Sequence, residues 1–269
     1  MMELKQIFKR AWDHYTTENP SVLKIYELFQ SEGETVEHDH IAFRTFNDSR
    51  VNLEVIAKPF VDNGYEAIED YYFEKKKLYA KHYEHKTDPS APKIFISHLL
   101  TEQFSPFLQE TIQESLNQIP NEFLSPENLI FAGNLWGIPQ YDVYEKLYSE
   151  SEYAAWMYVY GFRVNHFAIK VNILKHLDSL EKINQLLKEQ GFTMNKSGGE
   201  IKGSKEKLLE QSSIMADPID VKFLDGTYEI PACYYEFTKR YPDSGGNLYT
   251  GFITSSADKI FESTNLYSK

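Results

Sequence analysis

Two stretches of the sequence carry the same short pattern, Asp39-His40-Ile41-Ala42 and Asn165-His166-Phe167-Ala168. Each is rich in strand-forming residues and begins the same series of elements: a strand, an amphipathic helix that ends near a glycine, and then further strands. Internal self-similarity describes the architecture of the whole chain, so it is a stronger indication of fold than any single propensity. The sequence therefore predicts an α+β protein built from two paired β-α-β-β-β units.

The rest of the chain is assigned around these two units, within a single compact domain. The predicted parts are N-terminal helices over 1–38, the first unit over 39–101, a helical insertion over 102–161, the second unit over 162–241 and a C-terminal tail over 242–269. Within the second unit, strands are predicted at Phe192 to Asn195, Glu210 to Ala216, Ile219 to Leu224 and Ile230 to Arg240. Aromatic residues make up 15% of the sequence, which is enough to fill a sizeable core.

Composition excludes several classes of function. Lys and Arg total 28 against 40 Asp and Glu, a formal charge of −12 that argues against binding to nucleic acid or to an anionic membrane. The most apolar stretch, Tyr153 to Phe162, is about half as long as a membrane span. Cys233 is the only cysteine, so no intrachain disulfide can form and a reducing, cytoplasmic setting is expected. The oligomeric state stays open, a homo-oligomer included.

The repeated histidines are the first candidates for chemistry. If the two units pack about a pseudo-twofold axis, His40 and His166 converge on a shared interior, where two imidazoles can bind a divalent transition metal. Glu236 is the predicted third ligand, because an ionised carboxylate among aromatic residues is costly unless it is paired with a cation or a metal. Two histidines and one carboxylate are typical of non-haem Fe(II) sites with open positions. The alternative is that Glu236 pairs with Arg240 or Lys239.

Arg44 and His38 offer two further interpretations. Arg44 follows His40 by four residues, so both side chains should lie on one strand face, about 13 Å apart. There Arg44 could clamp a substrate carboxylate bidentately, or it could pair with a surface acid. His38 and His40 could together form a chelate on one strand face, as in a cupin-like jelly roll. That fold ranks second, because it has no place for the helix that follows each histidine strand.

The remaining strand histidines, His82, His85 and His98, lie in tyrosine-rich segments. They are expected to be polar edge residues rather than metal ligands. No glycine-rich loop has the flanking residues that would hold a phosphate.

The arrangement resembles the vicinal oxygen chelate superfamily, in which paired β-α-β-β-β units surround a metal. More narrowly, four stretches resemble the 2-oxoadipate dioxygenase/decarboxylase family: His40 to Arg44, Val164 to Phe167, Ile230 to Phe237, and Gly251 to Thr264. The resemblance implies that His40, His166 and Glu236 bind Fe(II), and that Arg44 corresponds to the family's substrate-carboxylate arginine.

The resemblance also implies a reaction. It is the conversion of a 2-oxo dicarboxylic acid, 2-oxoadipate, and O2 to 2-hydroxyglutarate and CO2, a step associated with lysine catabolism. The helical insertion over 102–161 is a candidate for excluding water from the site. Two other classes stay open: a different metal-dependent enzyme on the same scaffold, such as a hydrolase, an isomerase or a ring-cleaving dioxygenase, and a non-catalytic protein that binds a small molecule.

Overall fold

The computed structural model of the protein describes residues 2–265, so Met1 and the last four residues of the predicted tail, 266–269, lie outside the described residues. The helices of the described part are α1 (Leu4–Glu18), α2 (Pro20–Ser31), α3 (Leu53–Val61), α4 (Pro106–Asn117), α5 (Pro126–Leu129), α6 (Tyr141–Glu150), α7 (Glu152–Tyr160), α8 (Leu180–Glu189) and α9 (Thr254–Ile260). The strands are β1 (His38–Phe46), β2 (Tyr65–Phe73), β3 (Leu78–His85), β4 (Lys93–Leu99), β5 (Val164–Lys170), β6 (Lys202–Ser204), β7 (Leu209–Ser213), β8 (Pro218–Phe223), β9 (Gly226–Pro231) and β10 (Tyr234–Arg240). None of these helices has the length and apolar character that crossing a membrane requires.

Eight strands form one sheet in the order β2-β3-β4-β1-β5-β10-β7-β6. The first half of this sheet is a β-α-β-β-β unit made of β1, α3, β2, β3 and β4, and the second half repeats it with β5, α8, β6, β7 and β10. In each half the first strand runs parallel to the last, and the two first strands, β1 and β5, pair antiparallel at the centre. The predicted fold class, α+β with two paired units, is confirmed.

One face of the sheet packs against helices. Phe43 of β1 contacts Phe60 of α3, and Phe167 of β5 contacts Trp12 of α1. Because side chains alternate along a strand, the neighbouring residues of β1 and β5 face the opposite side. The candidate site lies on that opposite side.

The second unit differs from the sequence prediction in its strands. Residues 192–195 form no strand and make only one bridge, between Met194 and Ile214. The predicted strand at Ile219 to Leu224 is β8, but it pairs with β9 in a separate two-stranded ribbon. The predicted strand from Ile230 to Arg240 divides into β9 and β10, because Pro231 lacks an N–H group and the N–H of Cys233 donates to the side chain of Asn19 instead.

Two segments cover the side of the sheet opposite α1 and α3. Helix α7 buries nearly all of its residues, and the Tyr153 hydroxyl joins it to β1 and β4 by hydrogen bonds to Thr45 and Ser97. The second segment, Gly251 to Thr264, contains α9 and a 3₁₀ turn (Phe261–Thr264). We call it the cap segment.

Candidate metal centre

The three predicted metal ligands meet on three adjacent strands. His40 lies on β1, His166 on β5 and Glu236 on β10, and all three are buried. One ligand atom from each lies within 4.8 Å of the other two, and this is the only such group of histidines, cysteines and acids among residues 2–265. The His166 Nε2 atom is 3.2 Å from Glu236 Oε2, and His40 Nε2 is 3.6 Å from Glu236 Oε1. Ligands about 2.1 Å from one metal at right angles lie about 3 Å apart, so these separations fit a shared ion.

The two histidines are oriented in the same way. His40 Nδ1 is 2.9 Å from Asp39 Oδ1, and His166 Nδ1 is 2.9 Å from Asn165 Oδ1. An acceptor at Nδ1 places the ring proton there and leaves the Nε2 lone pair toward the centre. Asp39 and Asn165 each occupy a β-bulge, because the register between β1 and β5 shifts by one residue at each of them. The bulges turn the following imidazoles toward the site, a known use of bulges near functional residues.

Glu236 does not pair with Arg240 or Lys239, so that alternative is wrong. Arg240 donates to both carboxylate oxygens of Asp39, at 2.8 and 2.9 Å, and Lys239 donates to a backbone carbonyl. Burial alone would raise the pKa of Asp39, but the Arg240 charge and the His40 hydrogen bond lower it well below the ordinary value. Asp39 is therefore a carboxylate that links His40 to Arg240.

The Glu236 carboxylate is ionised but incompletely bonded. Its Oε1 atom accepts hydrogen bonds from Gln211 and Thr238, each at 2.7 Å, whereas Oε2 has no hydrogen-bond partner in the part of the chain that the structure describes. Burial raises the pKa of Glu236, but the imidazoles of His40 and His166 lower it by a larger amount, so the net shift of the pKa is downward. A buried carboxylate with an unpartnered oxygen beside two imidazole nitrogens fits a divalent metal.

The two imidazoles differ in basicity. Burial lowers the pKa of His166 to about 4, which favours the neutral form that binds metals. Burial also lowers the pKa of His40, but the carboxylates of Glu236 and Asp39 outweigh it and raise the pKa above its ordinary value. The donor set therefore suits a cation, which would replace the proton at His40.

His38 lies on the opposite face of the sheet from His40, so the second-ranked alternative, a chelate formed by both on one face, is wrong. The bulge at Asp39 reverses the alternation of side chains between them. His38 Nε2 is 2.9 Å from the Tyr235 hydroxyl, and its ring contacts Trp12 and Phe167. The eight-stranded sheet also excludes the jelly roll.

His82 is fully buried, which corrects its expected position at a polar edge. Its two ring nitrogens lie 2.8 Å from the Tyr71 hydroxyl and 3.0 Å from Glu84 Oε1. His85 and His98 are partly exposed. None of the three belongs to the cluster of possible ligands.

Arg44 lies on the same face of β1 as His40 and is 2% exposed. Its Nη1 and Nη2 atoms donate to Glu152 Oε1 and Thr264 Oγ1, each at 3.0 Å. The guanidinium also lies over the rings of Tyr153 and Trp156, with its Cζ atom 4.9 and 5.0 Å from their centroids. Its Nε–H group has no partner among residues 2–265. Arg44 thus pairs with an acid of the helical insertion rather than with one on the exposed surface.

The cap segment closes the space beside the triad. This space is lined by the three ligands together with Phe252, Ala257, Ile260 and Phe261. The volume that the centre of a water molecule can occupy in it is about 10 Å³. That is room for about one water molecule. This space is too small for a larger ligand in the conformation described.

Sequence reasoning missed several residues that support the site. Asp39 and Asn165 precede the histidines directly, so the paired Asp-His and Asn-His dipeptides could have signalled their roles. Nothing in the sequence around Gln211 and Thr238 indicated that these residues donate hydrogen bonds to Glu236. Lys202 is also buried and interacts electrostatically with Glu236, and burial lowers the pKa of this lysine to about 8.

Comparisons with known proteins identify relatives of this chain. A sequence profile described as 2-oxoadipate dioxygenase/decarboxylase matches residues 4–244. The chain is 36% identical to a chloroplastic protein of that name from Arabidopsis thaliana, over 93% of this chain and 74% of the relative. It is 35% identical to the chloroplastic/amyloplastic protein of that name from rice, over 93% of this chain and 76% of the relative.

Solved structures extend the comparison. Hydroxyglutarate synthase from Oryza sativa, solved in complex with 2-oxoadipate, superposes with a TM-score of 0.90 at 33% identity, over 97% of this chain and 92% of that one. A protein from Shewanella frigidimarina described as a candidate hydrolase gives a TM-score of 0.88 at 47% identity, over 94% and 99% of the two chains. A glyoxalase superfamily protein from Ralstonia eutropha shares the fold, with a TM-score of 0.76 at 18% identity, over 92% and 84% of the two chains. With a profile match over most of its length and two relatives above 30% identity, the chain belongs to the 2-oxoadipate dioxygenase/decarboxylase family of enzymes.

Proposed function

We propose that this protein is an Fe(II)-dependent dioxygenase/decarboxylase that converts 2-oxoadipate and O2 to 2-hydroxyglutarate and CO2. In this proposal His40, His166 and Glu236 bind the iron, and Arg44 binds the substrate carboxylate that is distant from the metal. Both oxygen atoms of O2 are accounted for in the two products, so no second oxidisable substrate is required.

The main support for the proposal is the buried triad of His40, His166 and Glu236, in which the Glu236 Oε2 atom has no hydrogen-bond partner among residues 2–265. Two neutral imidazoles and one carboxylate on one side of an ion leave other coordination positions open. When bound, ferrous iron supplies those open positions and the redox chemistry with O2. The 2-oxoadipate in the related rice structure supports the class of substrate.

Arg44 suits the distal carboxylate because of its position and its surroundings. It follows His40 by four residues on the same strand face, and the residue between them on that face is Ala42, whose side chain is only a methyl group. The unpartnered Nε–H group can donate to a carboxylate, and a charge-assisted contact of this kind contributes about 1.5–3 kcal/mol. A diacid bound at the metal would therefore extend toward Arg44.

The cap segment supports the exclusion of water. Phe252 and Phe261 cover the triad, and the Phe252 ring meets His40 edge to face at 4.9 Å between centroids. A closed apolar cover protects reactive species from water and strengthens the electrostatic contacts inside. In this proposal the cap segment, rather than the insertion alone, closes the site after the substrate binds.

The cellular setting is part of the proposal. The lone cysteine, Cys233, is buried and free, which agrees with the reducing, cytoplasmic compartment that the composition favours. The names of the plant relatives place those proteins in plastids.

The test is oxygen uptake by protein loaded anaerobically with Fe(II), measured with 2-oxo diacids of five, six and seven carbons. We expect uptake, CO2 and a 2-hydroxy diacid one carbon shorter than the substrate, with 2-oxoadipate the best substrate. Zinc-loaded protein should consume no oxygen. Anaerobic turnover with a redox-inactive metal would support a hydrolase or an isomerase instead, and a failure to bind any metal would support a non-catalytic binding protein.

A further inference from the structure

Tyr234 is a buried phenol without a hydrogen-bond partner. Its side chain is fully buried, and its hydroxyl bonds to no group among residues 2–265. The next residue, Tyr235, is equally buried but faces the other side of the sheet, where its hydroxyl lies 2.9 Å from His38 Nε2. An unpaired buried hydroxyl costs free energy, so native structures rarely keep one without a reason.

The strand register locates Tyr234 at the level of His166, two residues along the strands from the level of His40 and Glu236 and toward the level of Arg44. Tyr234 of β10 lies beside His166 of β5, and His166 lies beside Ala42 of β1, which is midway between His40 and Arg44. The Tyr234 ring stacks on the His166 imidazole, with 4.5 Å between centroids and 25° between planes. The phenol also interacts electrostatically with Glu236, Arg44 and Glu152. The hydroxyl therefore belongs to the region where a bound diacid would extend.

We propose that the Tyr234 hydroxyl donates a hydrogen bond to the distal carboxylate of the 2-oxo diacid, beside Arg44. This inference rests on the proposed function. Three features support it: the hydroxyl has no other acceptor, the Nε–H group of Arg44, with which the phenol interacts electrostatically, is also unpartnered, and the carbon chain of the substrate offers no polar atom between its two ends. A carboxylate accepts from both donors at once, so it satisfies two buried groups together.

The experiment compares Tyr234→Phe with Tyr235→Phe as a matched control. Binding of 2-oxoadipate and of 2-oxohexanoate, which has the same carbon chain but lacks the distal carboxylate, is measured by calorimetry on anaerobic Fe(II)-loaded protein. We expect Tyr234→Phe to bind 2-oxoadipate about tenfold or more weakly and to bind 2-oxohexanoate as the wild type does. Tyr235→Phe should bind both acids normally.

Stability and metal content separate this role from a structural one. Because Tyr234→Phe removes only an unpaired hydroxyl and keeps the ring on His166, its metal content and its Tm without substrate should equal or exceed those of the wild type. Tyr235→Phe should lower the Tm, because His38 loses its partner.

Three results would overturn the assignment. One is undiminished binding of 2-oxoadipate by Tyr234→Phe, and another is an equal loss for both acids, which would locate the hydrogen bond at the metal end. The third is a wild-type protein that binds neither acid, which would overturn the proposed function and the role of Tyr234 with it.

Discussion

At the scale of single residues, each of the two histidines is oriented by a hydrogen bond to the side chain of the preceding residue, but the two preceding side chains differ in charge. Asp39 and Asn165 each occupy a bulge and accept a hydrogen bond from the following imidazole. Asp39 adds a carboxylate that is paired with Arg240, whereas the Asn165 amide is neutral and its Nδ2 group has no partner among residues 2–265. Asp39 thus adds to the upward shift that Glu236 causes in the pKa of His40, whereas burial lowers the pKa of His166.

The ligand assignment predicts a clear contrast between Glu236 and His38. Glu236→Gln keeps the shape of the side chain but removes its charge, and it should lose at least about 100-fold in metal affinity, more than the loss of an outer hydrogen-bond partner causes. His38→Ala should keep its metal, because His38 faces the other side of the sheet. Metal titration with both variants provides the measurement. Loss of metal in His38→Ala with retention in Glu236→Gln would refute the site.

Arg44 predicts an effect on substrate selectivity. Arg44→Met keeps much of the side-chain volume and should retain its metal while binding 2-oxoadipate roughly 10- to 100-fold more weakly, which corresponds to the loss of a charge-assisted contact. Affinity for a monocarboxylic 2-oxo acid should change little. If both acids lose affinity equally in folded, metal-loaded protein, Arg44 does not bind the distal carboxylate.

At the scale of elements, a single carboxylate joins the loop after α2 to the loop after β5. Glu34 accepts hydrogen bonds from the backbone N–H groups of Lys175, His176 and Leu177, at 2.6–2.8 Å. Burial raises the pKa of Glu34, but these three donors outweigh it and the net shift is downward. Glu34 thus connects the N-terminal helices to the start of the second unit.

This contact predicts how stability depends on pH. A carboxyl group with a lowered pKa in the folded state contributes stability above its unfolded pKa of about 4.3, and that stability is lost as the pH falls through the folded pKa. Glu34→Gln should therefore be about 1–3 kcal/mol less stable than the wild type at pH 7. The difference should shrink below pH 4. Urea unfolding at pH 7 and pH 3.5 tests this, and a constant difference would show that the charge of Glu34 is irrelevant.

The cap segment is held at several points along its length. The Asn195 amide donates to the Lys259 carbonyl and to the Ser263 hydroxyl, Thr264 accepts from Arg44, and the backbone N–H of Phe252 donates to the Tyr71 hydroxyl. A substrate carboxylate that binds the Arg44 Nε–H group would share this guanidinium with Thr264. Arg44 therefore connects the cap segment to the position proposed for the distal carboxylate.

At the scale of the whole molecule, the proposed metal joins the two halves of the sheet. His40 comes from the first unit, and His166 and Glu236 come from the second. The central pairing of β1 with β5 brings them together. The site therefore forms only when both units are folded and paired.

Metal removal should lower the stability of the entire chain. A metal at about 100 times its Kd adds roughly 2.7 kcal/mol, which raises the Tm by about 5–10 °C in a protein of this size. Treatment with a chelator should reverse that increase, and Fe(II) should restore it, within one cooperative transition. Calorimetry provides the measurement. A chelator that lowers the Tm of one transition and leaves a second one unchanged would show that the metal does not join the two units.

The sequence by itself determined the paired units, the three residues of the triad and the position of Arg44 on the same strand face as His40. These features follow from local order: side chains alternate along a strand, and a repeated unit brings equivalent residues together. Strand boundaries in the second unit were predicted less well, because Pro231 and the contact of Cys233 with Asn19 interrupt a continuous run of strand-forming residues.

Tertiary structure alone decided the face of His38, the partners of Arg44 and Asp39, and the isolation of the Tyr234 hydroxyl. Glu152 and Arg240 are more than 100 residues from the groups they bind, and no sequence period reports contacts of that range. A bulge changes the face of a side chain without changing the composition of the strand. An unpartnered hydroxyl is recognised only when every neighbour is known, so the substrate contact proposed for Tyr234 depends on the packed structure.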